Sequence, residues 1–144
     1  MPTRPLRRLA SSIVTAALAA SAIAASTIVV LPAQAAQVVP YSAEAAQRAT
    51  AQSRPLIYHV ITTWCTICAA QTAVMKTLLG EPEFADYTVL RIDLEKQPQA
   101  AAALGVTERS TLIAADGAKE RARATGIIEP AQIRALLQAA KTGS

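Results

Sequence analysis

Two cysteines three residues apart, Cys65 and Cys68, lie between a strand-like apolar run and a segment with helical spacing of apolar residues. Residues 56–61 form a nearly continuous apolar run, which is typical of a strand covered on both faces in a parallel or mixed sheet. After the cysteines, apolar residues recur at helical spacing until Gly80 and Pro82 interrupt the pattern. The sequence therefore predicts a cysteine pair at the start of a helix that directly follows a buried strand.

The position of this pair favours thiol–disulfide chemistry. A helix N-terminus carries free N–H groups and the positive end of a dipole, and both stabilise a negative charge on the sulfur of Cys65. Cys68 lies one turn further into the helix, on the same side, where the two sulfurs can form a disulfide. We therefore expect Cys65 to be the nucleophile and the less exposed Cys68 to resolve a mixed disulfide, with Trp64 shielding the pair.

Other uses of the cysteine pair have less support. A structural zinc site needs about four ligands, and the chain offers Cys65, Cys68 and one distant His59. A c-type haem site would need histidine where Ala69 stands. A purely structural disulfide would close a very short loop, and short loops gain least from cross-linking. The alternative that stays open is a metal-binding or carrier module in which both cysteines are thiolate ligands and a partner completes the site.

The rest of the chain alternates strand-like and helix-like segments. Ser42 is a suitable N-cap for an Ala-rich helix, and Gly105 is a natural stop for another. Asp116-Gly117 is a strong hairpin signal. The predicted order is β-α-β-α-β-α-β-β-α, with segments near 37–41, 42–52, 55–61, 65–79, 88–94, 98–104, 111–115, 120–125 and 130–140.

The first 35 residues have the pattern of a secretory signal. Arg4, Arg7 and Arg8 precede an uncharged stretch over 9–31, and the Ala-Gln-Ala at 33–35 matches an A-x-A cleavage site. We therefore expect a signal peptide that is cut directly after this motif.

An uncleaved membrane anchor is the alternative for the same segment. Its 23 uncharged residues would span roughly 34 Å as a helix, enough for a bilayer core of about 30 Å. Ala, Ser and Thr dominate the stretch, which favours a cleaved signal (1–35) and a single folded domain (36–144). Either way the sequence predicts an exported domain, in the bacterial periplasm, where disulfides persist.

The charge pattern gives no support to nucleic-acid binding. The chain has 14 basic and 10 acidic residues, a formal net charge of +4. Loss of residues 1–35 removes three arginines and no acidic residue, which leaves +1. No run of Lys and Arg remains, so we expect no nucleic-acid partner, and membrane association only if the signal is uncleaved.

The order of the motifs resembles the thioredoxin family. A Trp-Cys-x-x-Cys motif follows a hydrophobic strand, Gly105-Val106 precedes a Thr-Leu-Ile strand, an Asp-Gly turn joins a hairpin, and Gly126 precedes the last helix. The resemblance covers about 55–140. It implies an α/β, thioredoxin-like fold with a central mixed β-sheet flanked by helices. It also implies a dithiol/disulfide oxidoreductase that needs no bound cofactor and exchanges disulfides with protein substrates.

The sequence departs from the thioredoxin pattern in three places, of which the first two are close to the cysteines in sequence. Thr66-Ile67 replaces the usual Gly-Pro between the cysteines, a dipeptide that tunes the redox potential in the family. His59 replaces a buried carboxylate, and Arg91 matches the basic partner of that carboxylate. If both face the same interior, His59 must be neutral. We interpret it either as the proton acceptor for Cys68 or as a packed core histidine.

The third departure is Ser110, which aligns with the cis-proline of the family. A cis peptide bond before a residue other than proline costs about 3 kcal/mol. The cis geometry of the family therefore cannot be assumed before Ser110. The resemblance implies that Arg109, Ser110 and Thr111 line the substrate groove. It also implies that loss of the proline loosens both substrate pairing and the exclusion of metals from the thiols.

The sequence as a whole predicts an exported, monomeric thiol–disulfide oxidoreductase. Cys65 and Cys68 are its catalytic pair, supported by Trp64 and His59, and its electron donor or acceptor is unidentified. Reduction of substrates is favoured over oxidation, because the domain lacks the inserted helical domain of dedicated periplasmic oxidants.

Overall fold

The structure is a computed structural model that describes residues 35–141. The predicted signal, apart from its last residue, lies outside the described residues, so the domain boundary stays a prediction. The described part consists of five strands, four α-helices and one short 3-10 helix: β1 (Gln37–Pro40), α1 (Ala43–Ala51), β2 (Pro55–Ile61), α2 (Thr66–Leu78), the 3-10 helix (Pro82–Phe84), β3 (Thr88–Asp93), α3 (Pro98–Ala103), β4 (Thr111–Asp116), β5 (Lys119–Thr125) and α4 (Pro130–Ala139).

The strands form one mixed sheet in the order β1-β3-β2-β4-β5. The pairs β1–β3 and β2–β3 are parallel, whereas β2–β4 and β4–β5 are antiparallel. The predicted α/β fold, with a central mixed sheet flanked by helices, is thereby confirmed. Within residues 35–141, no helix is both long enough and apolar enough to cross a membrane.

Local sequence signals set the ends of several elements. At the start of α1, the Ser42 hydroxyl accepts a hydrogen bond from Ala45 N–H at 3.0 Å. Proline occupies the first turn of α3 and of α4, where its missing N–H costs nothing. Gly117 has a φ of 57°, which the tight β4–β5 turn requires and glycine adopts without strain.

Removal of the α1 cap gives a first testable prediction. We expect Ser42→Ala to lower the free energy of unfolding by about 1 kcal/mol, because the Ala45 N–H loses its acceptor. Urea unfolding followed by circular dichroism measures the change. Ser42→Asp is the matched control, since it keeps a side-chain acceptor and should retain the stability; an equal loss in both variants would contradict the capping role.

Both faces of the sheet are covered by helices. Alternate residues of a strand point to opposite faces, so Ile57 and His59 of β2 face α2 and α4, while Leu56 and Val60 face α1 and α3. Burial on both faces explains the nearly continuous apolar pattern of β2. The strand that leads into the cysteine pair is thus held from all sides, which fixes the position of the turn that follows it.

Candidate active site

The chain turns sharply between β2 and α2. Trp64 has a φ of 62°, in the left-handed region that residues other than glycine rarely adopt. The next residue, Cys65, is the N-cap of α2, and its sulfur accepts a hydrogen bond from Cys68 N–H at 3.1 Å. The Cys65 sulfur therefore occupies the position at which a helix N-terminus stabilises negative charge.

Cys65 and Cys68 are joined by a disulfide, with their Cα atoms 5.2 Å apart. Cys68 is only 4% exposed, whereas Cys65 is partly exposed. Both cysteines line a cleft of about 520 Å³ on the surface of the protein. A partner molecule can therefore reach the sulfur of Cys65 from the cleft, while the sulfur of Cys68 approaches it from the interior.

Ser110 lies directly against the disulfide. Its hydroxyl oxygen is 3.2 Å from the sulfur of Cys65 and 3.3 Å from that of Cys68. The described residues contain no cis peptide bond, so Ser110 follows a trans bond, and its φ is 61°. Its N–H donates to Val60 O at 2.8 Å, and its C=O accepts from Gly126 N–H at 2.9 Å. The position that aligns with proline in the family thus presents a hydroxyl group to both sulfurs.

Gln71 is a buried polar residue of this site that sequence reasoning missed. Its amide nitrogen donates to Ser110 O at 3.0 Å and to Ile127 O at 2.9 Å. Its amide oxygen lies 3.1 Å from Nε2 of His59. A signal for it does exist: Gln71 is three residues after Cys68 and four before Met75, so it shares their inward face of α2.

His59 is buried, with 1% of its surface exposed. Because the Gln71 amide nitrogen is committed to two carbonyl groups, its oxygen faces His59, whose Nε2 therefore carries the proton and donates. Burial lowers the pKa of His59 to about 4; the hydrogen bond with Gln71 opposes this shift, and the charge of Arg91 adds to it. The ring is neutral at neutral pH, and the geometry favours the packed, hydrogen-bonded core histidine over a proton acceptor at Nε2.

Arg91 is the register partner of His59 in the neighbouring strand. The two residues line one cleft of about 400 Å³ with Met75, Leu79 and Val89. They thus face the same side of the sheet, but Arg91 is exposed, so only His59 lies in the interior. Arg91 also lines the cleft at the disulfide, so its positive charge borders both spaces.

The three residues predicted to line the substrate groove have different positions. Arg109 is exposed and lines, with Ser110 and Ile67, a cleft of about 410 Å³. Thr111, by contrast, is buried, and its hydroxyl bonds to Glu108 O and to the Thr125 hydroxyl, each at 2.9 Å. The placement of Thr111 in the groove is therefore a correction: its side chain joins β4 to the loop before it and to β5.

Trp64 is also placed differently from the prediction. The residue is 96% exposed, and it forms part of the wall of the cleft that holds the disulfide. Its side chain packs too little against the protein to shield the sulfurs. Trp64 is instead available for contact with a partner.

A metal site has no complete ligand set in the described part of the chain. Among residues 35–141, no three His, Cys, Asp or Glu side chains lie close enough together to hold a metal ion. A metal bound by Cys65 and Cys68 would therefore need ligands from another molecule.

Comparisons with known proteins agree with this geometry. No protein-family model and no curated protein matches the chain. Among solved structures, Trxlp from Edwardsiella tarda EIB202 is 29% identical, with a TM-score of 0.68, over 70% of this chain and 98% of that one. Oxidized thioredoxin O2 from Arabidopsis thaliana is 21% identical, with a TM-score of 0.60, over 73% and 93% of the two chains.

Thioredoxin F from spinach chloroplast has the same fold, with a TM-score of 0.62 at 19% identity, over 76% of this chain and 96% of that one. Each of these similarities extends over at least 70% of this chain. The chain therefore has a thioredoxin-like fold, and its disulfide-forming C-x-x-C pair at the start of α2 supports thiol–disulfide exchange in general.

Proposed function

We propose that this protein reduces disulfide bonds in exported protein substrates, with Cys65 as the attacking thiolate and Cys68 as the resolving thiol. The observation that carries the proposal is the unequal exposure of a disulfide-forming pair at a helix N-terminus. The accessible sulfur lies where a negative charge is stabilised, and the buried sulfur lies within bonding distance of it. This is the arrangement that a two-step exchange requires.

The exchange proceeds through a mixed disulfide. The Cys65 thiolate attacks one sulfur of the substrate disulfide, and the other substrate sulfur leaves as a thiolate. The Cys68 thiolate then attacks the Cys65 sulfur, which restores the intramolecular disulfide and releases the second substrate thiolate. Two electrons pass to the substrate, and an external dithiol must return two electrons to the pair before the next cycle.

The surface around the disulfide suits a polypeptide substrate. Large apolar residues are exposed at Trp64, Ile67 and Ile128, and the loop before Ile128 is tied to the active site by the bond from Gly126 N–H to Ser110 O. Within the described residues, the backbone groups of Arg109 form no hydrogen bond. They are available to pair with the main chain of a substrate that reaches the sulfurs.

Other features support the proposed direction of electron flow and the proposed export of the protein. The described chain from 35 to 141 has no helical domain inserted between its sheet elements, which favours a reductant over a dedicated oxidant. The basic start, the uncharged stretch and the A-x-A motif of residues 1–35 favour export to the periplasm.

A redox titration tests the proposed function. The full mature protein is equilibrated with glutathione buffers, free thiols are alkylated, and the oxidised fraction is read from the mass shift. We expect a reversible two-electron transition nearer to about −270 mV than to −120 mV. A value near −120 mV would overturn the reductant assignment. The absence of a transition, together with metal bound after purification under reducing conditions, would favour the metal-binding alternative.

A further inference from the structure

The hydroxyl of Ser110 is positioned as a donor to the reacting sulfurs. Its contacts in the described chain are the two sulfur atoms, at 3.2 and 3.3 Å. A disulfide sulfur is a weak acceptor, but a thiolate carries a full negative charge and accepts strongly. The hydrogen bond from Ser110 is therefore stronger in the reduced protein than in the oxidised one, so it stabilises the reduced state relative to the disulfide.

The backbone holds this hydroxyl in place. Ser110 has a φ of 61° and is 5% exposed. A serine persists in this left-handed conformation only where its surroundings determine it. Here the N–H of Ser110 is bound to Val60 O, and its C=O accepts from both Gly126 and Gln71. Three hydrogen bonds thus fix the backbone that carries the hydroxyl.

Gln71 connects this loop to the core. The residue is fully buried, and its amide joins Ser110, Ile127 and His59. It contacts neither sulfur through a hydrogen bond. Of its three hydrogen-bond partners, Ser110 is the one with a hydrogen-bond contact to the sulfurs, so Ser110 provides the direct route from Gln71 to the thiol chemistry.

We propose that the Ser110 hydroxyl donates a hydrogen bond to the Cys65 thiolate during exchange, and that Gln71 is the positioning residue that aims it. The proposal rests on the proposed thiol–disulfide exchange and names a further catalytic group for it. Cys65 is the acceptor because it is the partly exposed cap of α2, where the charge develops. Stabilising the reduced form raises the reduction potential and enlarges the thiolate fraction of Cys65 at low pH.

The test compares Ser110→Ala and Ser110→Gly with the parent protein in glutathione buffers. Both variants remove the hydroxyl, whereas glycine also relieves the positive φ. We expect the equilibrium constant for reduction to fall about tenfold in both, which is about 30 mV towards reducing values. We also expect slower iodoacetamide alkylation of Cys65, measured in a Cys68→Ser background below the pKa of free cysteine.

Ser53 offers a matched control. It is a second serine with positive φ, 52°, and it is exposed in the turn at the other end of β2. Ser53→Ala should leave the potential and the alkylation rate unchanged. An unchanged potential in Ser110→Ala, or a shift in Ser110→Ala that Ser110→Gly does not share, would overturn the role of the hydroxyl. A parent protein without a reversible transition would instead overturn the proposed function.

The role of Gln71 is tested by a double-mutant cycle. Gln71→Met keeps the approximate size of the side chain but removes its hydrogen bonds, and should shift the potential in the same direction as Ser110→Ala. In a Ser110→Ala background, the same substitution should add no further shift, because its effect passes through the hydroxyl. Additive shifts in potential would overturn the positioning role, whatever happens to stability.

Discussion

Replacing Cys65 with serine is expected to lower the rate of disulfide exchange by about a thousandfold or more, because the nucleophile of the first step is lost. The buried Cys68 does not substitute for it, since its sulfur is almost inaccessible to a protein substrate. The rate is measured with a disulfide-containing protein substrate in excess over this protein, and the released substrate thiols are the readout.

Cys68→Ser provides the contrast that makes this result specific. The variant keeps the first step and lacks the second, so it should accumulate a mixed disulfide through Cys65 that mass spectrometry detects. Ser53→Ala, a change in the exposed turn at the other end of β2 that leaves both thiols and the residues between them intact, is the control. A mixed disulfide at Cys68 in the Cys65→Ser variant, formed at the rate of the parent protein, would reverse the assigned roles.

Acidification is expected to destabilise the protein through the burial of His59. The pKa of His59 is about 4 in the folded protein and about 6.5 in an unfolded chain. Between these values the unfolded state binds more protons, so stability is lost as the pH falls from about 6.5 towards 4. The difference between pH 7.5 and 5 is about 2 kcal/mol of unfolding free energy from this residue alone.

His59→Gln isolates this contribution, because glutamine does not titrate and its amide can still donate to Gln71. Urea unfolding at both pH values is compared for the parent and the variant. Carboxyl groups with a lowered pKa, such as Glu120 beside Arg123, also contribute to the pH dependence of stability. Their contribution is the same in both proteins and cancels when the two are compared. Identical pH dependence in the two proteins would show that His59 is not buried as a neutral ring.

Much of the fold could be predicted because local patterns and tertiary packing agree. The cap at Ser42, the Asp-Gly turn and the helical spacing after the cysteines each specify one element, and the structure places those elements there. The sequence pattern does not predict the 3-10 helix at Pro82–Phe84, because Pro82 also marks the end of the preceding helical pattern. Proline is equally suited to begin a short helical turn.

The candidate site could be predicted only where the signal is local. The cysteine pair is contiguous with its helix, so its placement follows from the sequence. Ser110 and Gln71 are 39 residues apart, and their contact exists only after β4 has been placed beside β2. The alignment with proline suggested a loosened loop, yet proline could not donate the N–H that binds Val60 O. The ring of a proline would restrict the backbone at this position, whereas Ser110 is held by its hydrogen bond to Val60 O.

The two outer strands of the sheet limit how another polypeptide can associate with this fold. β1 has four residues and ends in Pro40, which lacks an N–H to offer. β5 carries Lys119, Glu120, Arg121 and Arg123 within seven residues, and charged side chains at an edge disfavour pairing with a further strand. Extension of the sheet into aggregates is therefore suppressed at both sides. Edge protection of this kind leaves the Arg109 loop beside the disulfide, rather than an edge of the sheet, as the place where the proposed function puts an extended substrate.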